Sequence, residues 1–418
     1  MPTSVFFLAF ILQPFWSAIC YLINLPRKCP NLRDFTIWAL IISIMGIYWF
    51  PWGDNQTHFA IYYTDVIQKY FTFSLTTSYF LYDYIMAKIG NFTGNYVWGY
   101  FFWIFTSLLL FYRVIWSEFL SNKITNNYTI LFLSILLIIG IRELLDLNRN
   151  ITAILYMLSG IGLWNKKKLL AILLILISTL IHSSITIVLV AGLIFYEFFR
   201  IKSDRTYVLI VFITIILSMF SYIILKRYAP ERVISSYIDG QWGTGTGVGS
   251  GFAYLVSMIN NLIFIVLGYG IIKNIGVFNR SYMLSVYFIS LLIGIFVWFF
   301  WVLRERYVLC NIVSAIALII LNWKNIRDSR AYISIIRCLR YVIVLCIFRF
   351  VLILCQTYSA NFIHGTGAND PDRALGIVAN SFILPTPFLL DVDDFGFNDK
   401  EYITNYDRVK ETIRNEEK

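Results

Sequence analysis

The chain has 418 residues, 59% hydrophobic and only 14% charged, with a mean hydropathy of +0.70 and a formal net charge of +10. Such a composition excludes an ordinary soluble domain, and its Ile-, Leu- and Phe-rich runs are long enough to cross about 30 Å of hydrocarbon as helices. A membrane barrel would instead show alternating strands of about ten residues, so the fold class read here is an all-α, polytopic integral membrane protein.

The pattern predicts about twelve transmembrane helices, near 4–23, 35–50, 97–119, 128–147, 149–164, 169–186, 184–199, 206–225, 253–272, 282–302, 307–322 and 341–358. Residues 1–358 then form one transmembrane domain and 359–418 a periplasmic C-terminal tail, mostly polar after residue 391. The first run has neither a basic leader nor a small-residue cleavage site and reads as a retained span. Arg27, Lys28 and Arg33, then Lys123, then Lys166 to Lys168, then Arg200 to Arg205, then Lys273 and Arg280, and finally Lys324 to Arg340 fall on one side of that layout. These loops are short and basic, which makes that side cytoplasmic and puts both termini outside.

The outward set holds two longer segments, 51–96 and 226–252, both expected in the periplasm. The first is aromatic and too polar to span, and reads as amphipathic and interfacial. Trp49 to Tyr63 opens it, and on a helix Asp54, His58 and Tyr62 share one face. A carboxylate, an imidazole and a phenol so aligned make either a proton-handling or sugar-binding strip, or simply a capped helix with its aromatics in the headgroups. The second segment ends in a glycine-rich run, Gly240 to Gly251, without the Lys-Ser/Thr ending of a phosphate loop; it reads as a lid or a plain connector.

Charges inside apolar runs are the rarest feature of the chain. Arg142, Asp146, Arg149 and Ala153 would share a face if 142–153 were one helix. Two arginines against one carboxylate leave a surplus positive charge for an anion, although an Arg142–Asp146 packing pair is the plainer alternative. Leu180 to Ser184, with His182 within it, ends the apolar run that follows Lys168; His182 is either a catalytic imidazole or a hydrogen-bonded helix end. Arg304 and Arg306 flank Glu305 at an outer helix boundary, two residues apart, so one of them reaches a central site and the other snorkels. Arg349, deep in the last span, stands as an unpaired candidate. Arginine forks match phosphate oxygens, and a lipid-linked pyrophosphate is the anion expected at that depth. The outer carboxylates are not clustered at ligand spacing, and no Walker, Rossmann or HExxH motif and no CxxC pair occurs. No metal, cofactor or nucleic-acid partner is expected.

Four stretches together resemble the Wzy / EpsG family of polysaccharide polymerases: Pro51-Trp-Gly53-Asp54 to Tyr62, Arg149-Asn-Ile-Thr-Ala153, the Lys166–Lys168 hairpin and Ile181-His182-Ser-Ser184. The resemblance is carried by about residues 35–195. One departure is the aromatics and Pro51 beside Gly53-Asp54, where many relatives carry an arginine. The resemblance implies a bacterial inner-membrane glycosyltransferase, active on the periplasmic face. It would move a growing glycan from undecaprenyl pyrophosphate to the sugar end of another lipid-linked repeat unit, in O-antigen or related polysaccharide synthesis, with a chain-length regulator as a further partner. On that reading Arg149 and Arg142, with Arg304 or Arg306, hold the pyrophosphate. His182 is the first choice of base and Asp54 the second, with His58 and Tyr62 on the sugar side. A flippase for lipid-linked oligosaccharide and an O-antigen ligase are the competing classes. A flippase needs charges lining a path open to both faces, whereas most charges here sit at outer boundaries.

Overall fold

A computed structural model describes residues 13, 16–17, 20, 30–48, 80–93, 97–121, 128–139, 144, 148–198, 203–240, 251–278 and 281–358. Asp54, His58, Tyr62, Arg142 and Asp146 lie outside the described residues, as do residues 241–250 of the glycine-rich run and the 359–418 tail.

All regular elements among the described residues are helices. In chain order they are α1 (Leu32–Tyr48), α2 (Phe80–Thr93), α3 (Val97–Ser121), α4 (Tyr128–Ile138), α5 (Asn148–Leu163), α6 (Lys168–Ile181) and α7 (Ser184–Phe198). There follow α8 (Asp204–Ser218), α9 (Ser221–Tyr228), a π-turn at Ile234–Ile238, α10 (Gly251–Lys273), α11 (Tyr282–Phe296), α12 (Trp301–Leu321), the short α13 (Trp323–Arg327) and α14 (Ala331–Tyr358). Within α3 and α10, Trp98–Ser117 and Leu255–Lys273 are each long and apolar enough to span a membrane, and α8 with α9 makes a third, bent candidate. The helices α4, α6, α7 and α11 are apolar but shorter.

Which helices are central follows from burial. The Asn150–Ile161 stretch of α5 and the Tyr307–Ile320 stretch of α12 are buried on every side. A helix apolar all round belongs in a core. By contrast α6, α7, α8, α10 and α14 each expose large apolar side chains, among them Leu176, Ile187, Phe212, Leu262 and Phe348, as a lipid-facing rim does. Gly160 lets α6 lie against α5: a Cβ there would stand 2.9 Å from the Ala171 carbonyl and 2.9 Å from Ile175 Cγ1.

Several expected elements are cut differently. The 128–147 run does not form one helix, since α4 stops at Ile138. Arg349 is the reason that end is tolerable, and it is not unpaired. Its guanidinium, 1% exposed, donates from Nη2 to the carbonyls of Leu137 (2.8 Å) and Ile138 (2.9 Å), and from Nη1 to Asn260 Oδ1 (2.6 Å). Carbonyls of a last helical turn have no partner within their own helix, and here a side chain 211 residues away serves one of them. The 206–225 run bends by 78° between α8 and α9. Part of the 51–96 segment is not a surface strip: α2 buries Tyr82, Met86 and Ala87 in the bundle, with Met86 against Gly99 of α3. The 226–252 connector is regular as far as the π-turn. Leu303 to Arg306 belong to the first turns of α12, which starts at Trp301.

Candidate active site

The site is built where α6 hands over to α7. α6 ends at Ile181, and His182 takes an extended conformation (φ −154°, ψ 112°) before α7 begins at Ser184. The His182 N–H donates to Ser178 O at 3.1 Å, and its carbonyl accepts the Ile185 N–H at 3.2 Å, so the residue is fixed from both helices. The ring is fixed too. Nδ1 accepts the Ser184 backbone N–H at 3.2 Å and lies 2.7 Å from the Ser184 hydroxyl. That N–H is one of the donors that a helix start leaves without an internal partner. A backbone N–H only donates, so Nδ1 carries the lone pair and the neutral ring holds its proton on Nε2; the tautomer is assigned from this bond.

His182 is 5% exposed. Burial, then the charge of Arg306, then that of Arg149, holds its pKa far below the ordinary 6.5, at about 3. The imidazole is therefore neutral at any working pH. The charges that act on the ring come from α5 and from α12.

Arg149 lies in the first turn of α5, and its Nη1 stands 3.7 Å from Asp83 of α2. Of the four positions expected to share a face, Arg149 and Ala153 lie on α5, which begins at Asn148, and Arg142 and Asp146 lie outside the described residues. Tyr82, next to Asp83, donates its hydroxyl to Asn148 Oδ1, and Asn148 in turn donates to Leu144 O at 2.6 Å. So α2 braces the start of α5, a role that sequence reading of 51–96 missed entirely.

The two arginines of α12 are put to different uses. Arg304 donates to Trp298 O at 3.0 Å and lies over the rings of Trp298 and Trp301, at 5.3 and 5.7 Å from their centroids. Arg306 donates from Nη2 to the Tyr237 hydroxyl at 3.0 Å, with its guanidinium 4.8 Å from that ring's centre, and it is the one whose charge reaches His182. Tyr237 sits in the π-turn, an irregularity common at functional sites. Asp239 ties that turn to α9 through Lys226 (3.1 Å) and the Tyr222 hydroxyl (3.0 Å).

Two cations, an amino-terminal helix end and a neutral imidazole, inside a bundle of apolar helices, are chemically suited to an anion. The family model of the EpsG family matches residues 33–363, well over half the chain. The chain belongs to the EpsG family. No curated protein and no solved structure matches it. EpsG-family membership points to a membrane protein with a polymerase-type role in polysaccharide biosynthesis. Arg149, His182 and Arg306 all lie within the matched EpsG region, as does the π-turn that carries Tyr237.

Proposed function

We propose that the protein polymerises lipid-linked oligosaccharide repeat units, as Wzy-type enzymes do. The growing glycan passes from undecaprenyl pyrophosphate to a hydroxyl at the sugar end of a second lipid-linked unit. The acceptor oxygen attacks the anomeric carbon, the bond from that carbon to the phosphate oxygen breaks, and undecaprenyl pyrophosphate leaves with the electron pair. The reading places this on the periplasmic face of the bacterial inner membrane, in a protein that crosses it about twelve times. In that topology α5, α7 and α12 all start at the outer face, where the substrate's pyrophosphate resides.

The observation that carries the proposal is a buried His182 at the start of α7 with two arginines, Arg149 in the first turn of α5 and Arg306 near the start of α12, whose charges act on it. Fixed donors aimed at a leaving group in a dry site are commonly the largest catalytic contribution. Arg149 and Arg306 take the pyrophosphate, joined by Arg142, while Arg304 anchors the aromatic boundary. The bond to Ser184 gives His182 a proton on Nε2, so its role is to donate to a phosphate oxygen and the base falls to Asp54. His58 and Tyr62 accompany Asp54 on the acceptor sugar.

The test uses purified protein in lipid nanodiscs with an undecaprenyl-pyrophosphate repeat unit, read as a glycan ladder. Wild type gives the ladder. Arg149→Lys keeps charge without the fork and loses most of the activity, and Arg149→Ala loses more. No ladder from wild type, or a full ladder from both variants, refutes the proposal.

A further inference from the structure

Asn150 is 4% exposed, and neither its amide nitrogen nor its amide oxygen has a hydrogen-bond partner among the described residues. Leaving both halves of a buried amide unmade is costly, and folded chains rarely tolerate it without a reason. Asn150 follows Arg149 directly, at the end of α5 that carries the cation acting on His182. Its direction follows from helical phase. On α5, Tyr156 bonds Thr106 of α3, and Gly162 faces Val114 of α3. At 100° per residue Asn150 lies about 120° from each of these positions. It is thus turned away from α3, on a helix that also packs against α7 and α12, which bring Ser184 and Arg306.

We infer that Asn150 binds the sugar joined directly to the pyrophosphate, through a hydroxyl or an acetamido group on that ring. This rests on the polymerase reading for the identity of the lipid. The chemistry selects the sugar over the phosphate. A phosphate takes donors only, so it would meet the nitrogen of Asn150 but leave the oxygen facing an anion. A hydroxyl or an acetamido group both donates and accepts, and satisfies both halves of the amide. Arginines take the anion, and the adjacent amide reads what is attached to it. A site that hydrogen-bonds a substrate group discriminates strongly against analogues lacking it, because its own polar atoms are then left unmade.

Thermal shift separates this from the activity itself. Wild-type protein in detergent is titrated with undecaprenyl pyrophosphate, and with undecaprenyl-pyrophosphate oligosaccharides whose first sugar carries either an acetamido group or a hydroxyl at C2. The glycosylated ligands stabilise wild type more than the bare pyrophosphate does, and the two sugars differ. In Asn150→Ala and Asn150→Leu the bare pyrophosphate shift persists, while the extra increment and the difference between sugars disappear. Both unliganded variants melt at or above the wild-type temperature, since a costly buried amide is gone. In the ladder assay their KM for the glycosylated donor rises at least tenfold. An unliganded Asn150→Ala that melts well below wild type shows a structural amide and overturns the inference; so does a sugar increment that survives both substitutions. If wild type binds the glycosylated lipid but makes no ladder, polymerisation fails while the assignment of Asn150 stands or falls on the shifts alone.

Discussion

Arg349→Met asks whether the most deeply buried cation among the described residues serves the fold or an anion. Met follows the arginine stem as far as Nε and is apolar, so the substitution keeps the stem's packing and removes the guanidinium carbon with its two terminal nitrogens. Three bonds from a charged donor are lost, at 2.6, 2.8 and 2.9 Å, and Asn260 Oδ1 and the carbonyls of Leu137 and Ile138 are left in a water-free interior. A stranded buried acceptor costs about 1–3 kcal/mol and three are stranded, offset in part because a guanidinium no longer has to be held out of water. The expected loss is therefore about 3–5 kcal/mol. Arg349→Lys retains a donor but cannot fork across both α4 and α10, and falls between. Because they share one network, Arg349→Met and Asn260→Leu together cost less than the sum of the two single changes. Helicity followed against temperature in a single detergent measures all of these. An Arg349→Met protein that melts with wild type yet makes no polymer would refute the reasoning and return Arg349 to the anion site.

His182 gives a signed pH dependence. Its folded-state pKa lies below the unfolded value near 6.5, so as pH falls through about 6.5 the unfolded chain takes up a proton that the folded chain refuses. Stability should decline with acid over that range, and His182→Gln should flatten the slope; parallel slopes for the two proteins would show that His182 does not contribute. Gly160→Ala should destabilise by about 1–3 kcal/mol although alanine is the better helix former, because its methyl meets the Ala171 carbonyl at 2.9 Å. A melting temperature raised by the intrinsic propensity gain would show that α6 yields easily at this crossing.

The helical class was legible because long apolar runs have few physical outlets. The helix ends were less so. Nothing in the local pattern around Ile138 announces a break, because what makes the break tolerable is an arginine more than two hundred residues later. Arg349 looked unpaired for the same reason: its partners are backbone carbonyls and an asparagine on other helices, and carbonyls leave no mark in a sequence. Arg149 and His182 stood out as polar residues set in apolar surroundings, and the charge of Arg149 acts on the His182 ring. The choice between Arg304 and Arg306 needed the fold, since Trp298 and Tyr237 both precede them, 6 residues before Arg304 and 69 before Arg306, and only the packing says which arginine meets which. Asp83 was hidden inside a segment read as interfacial, where its burial pattern is short. The Nε2 proton of His182 follows from a neighbour two residues away, Ser184, which was in plain view but whose N–H matters only once α7 is known to start there.

The start of α7 at Ser184 has a further consequence for how such a site survives change. A helix start carries roughly half an elementary charge from its aligned peptide groups, and α12 brings a second such end beside Arg306. Together these amount to about one unit of positive charge that no codon specifies. Alanine scanning of the arginines should therefore reach a floor of residual anion affinity. Lineages can exchange or relocate their arginines while the backbone keeps the site positive, so a shared architecture of helix starts can outlast any recognisable pattern of side chains.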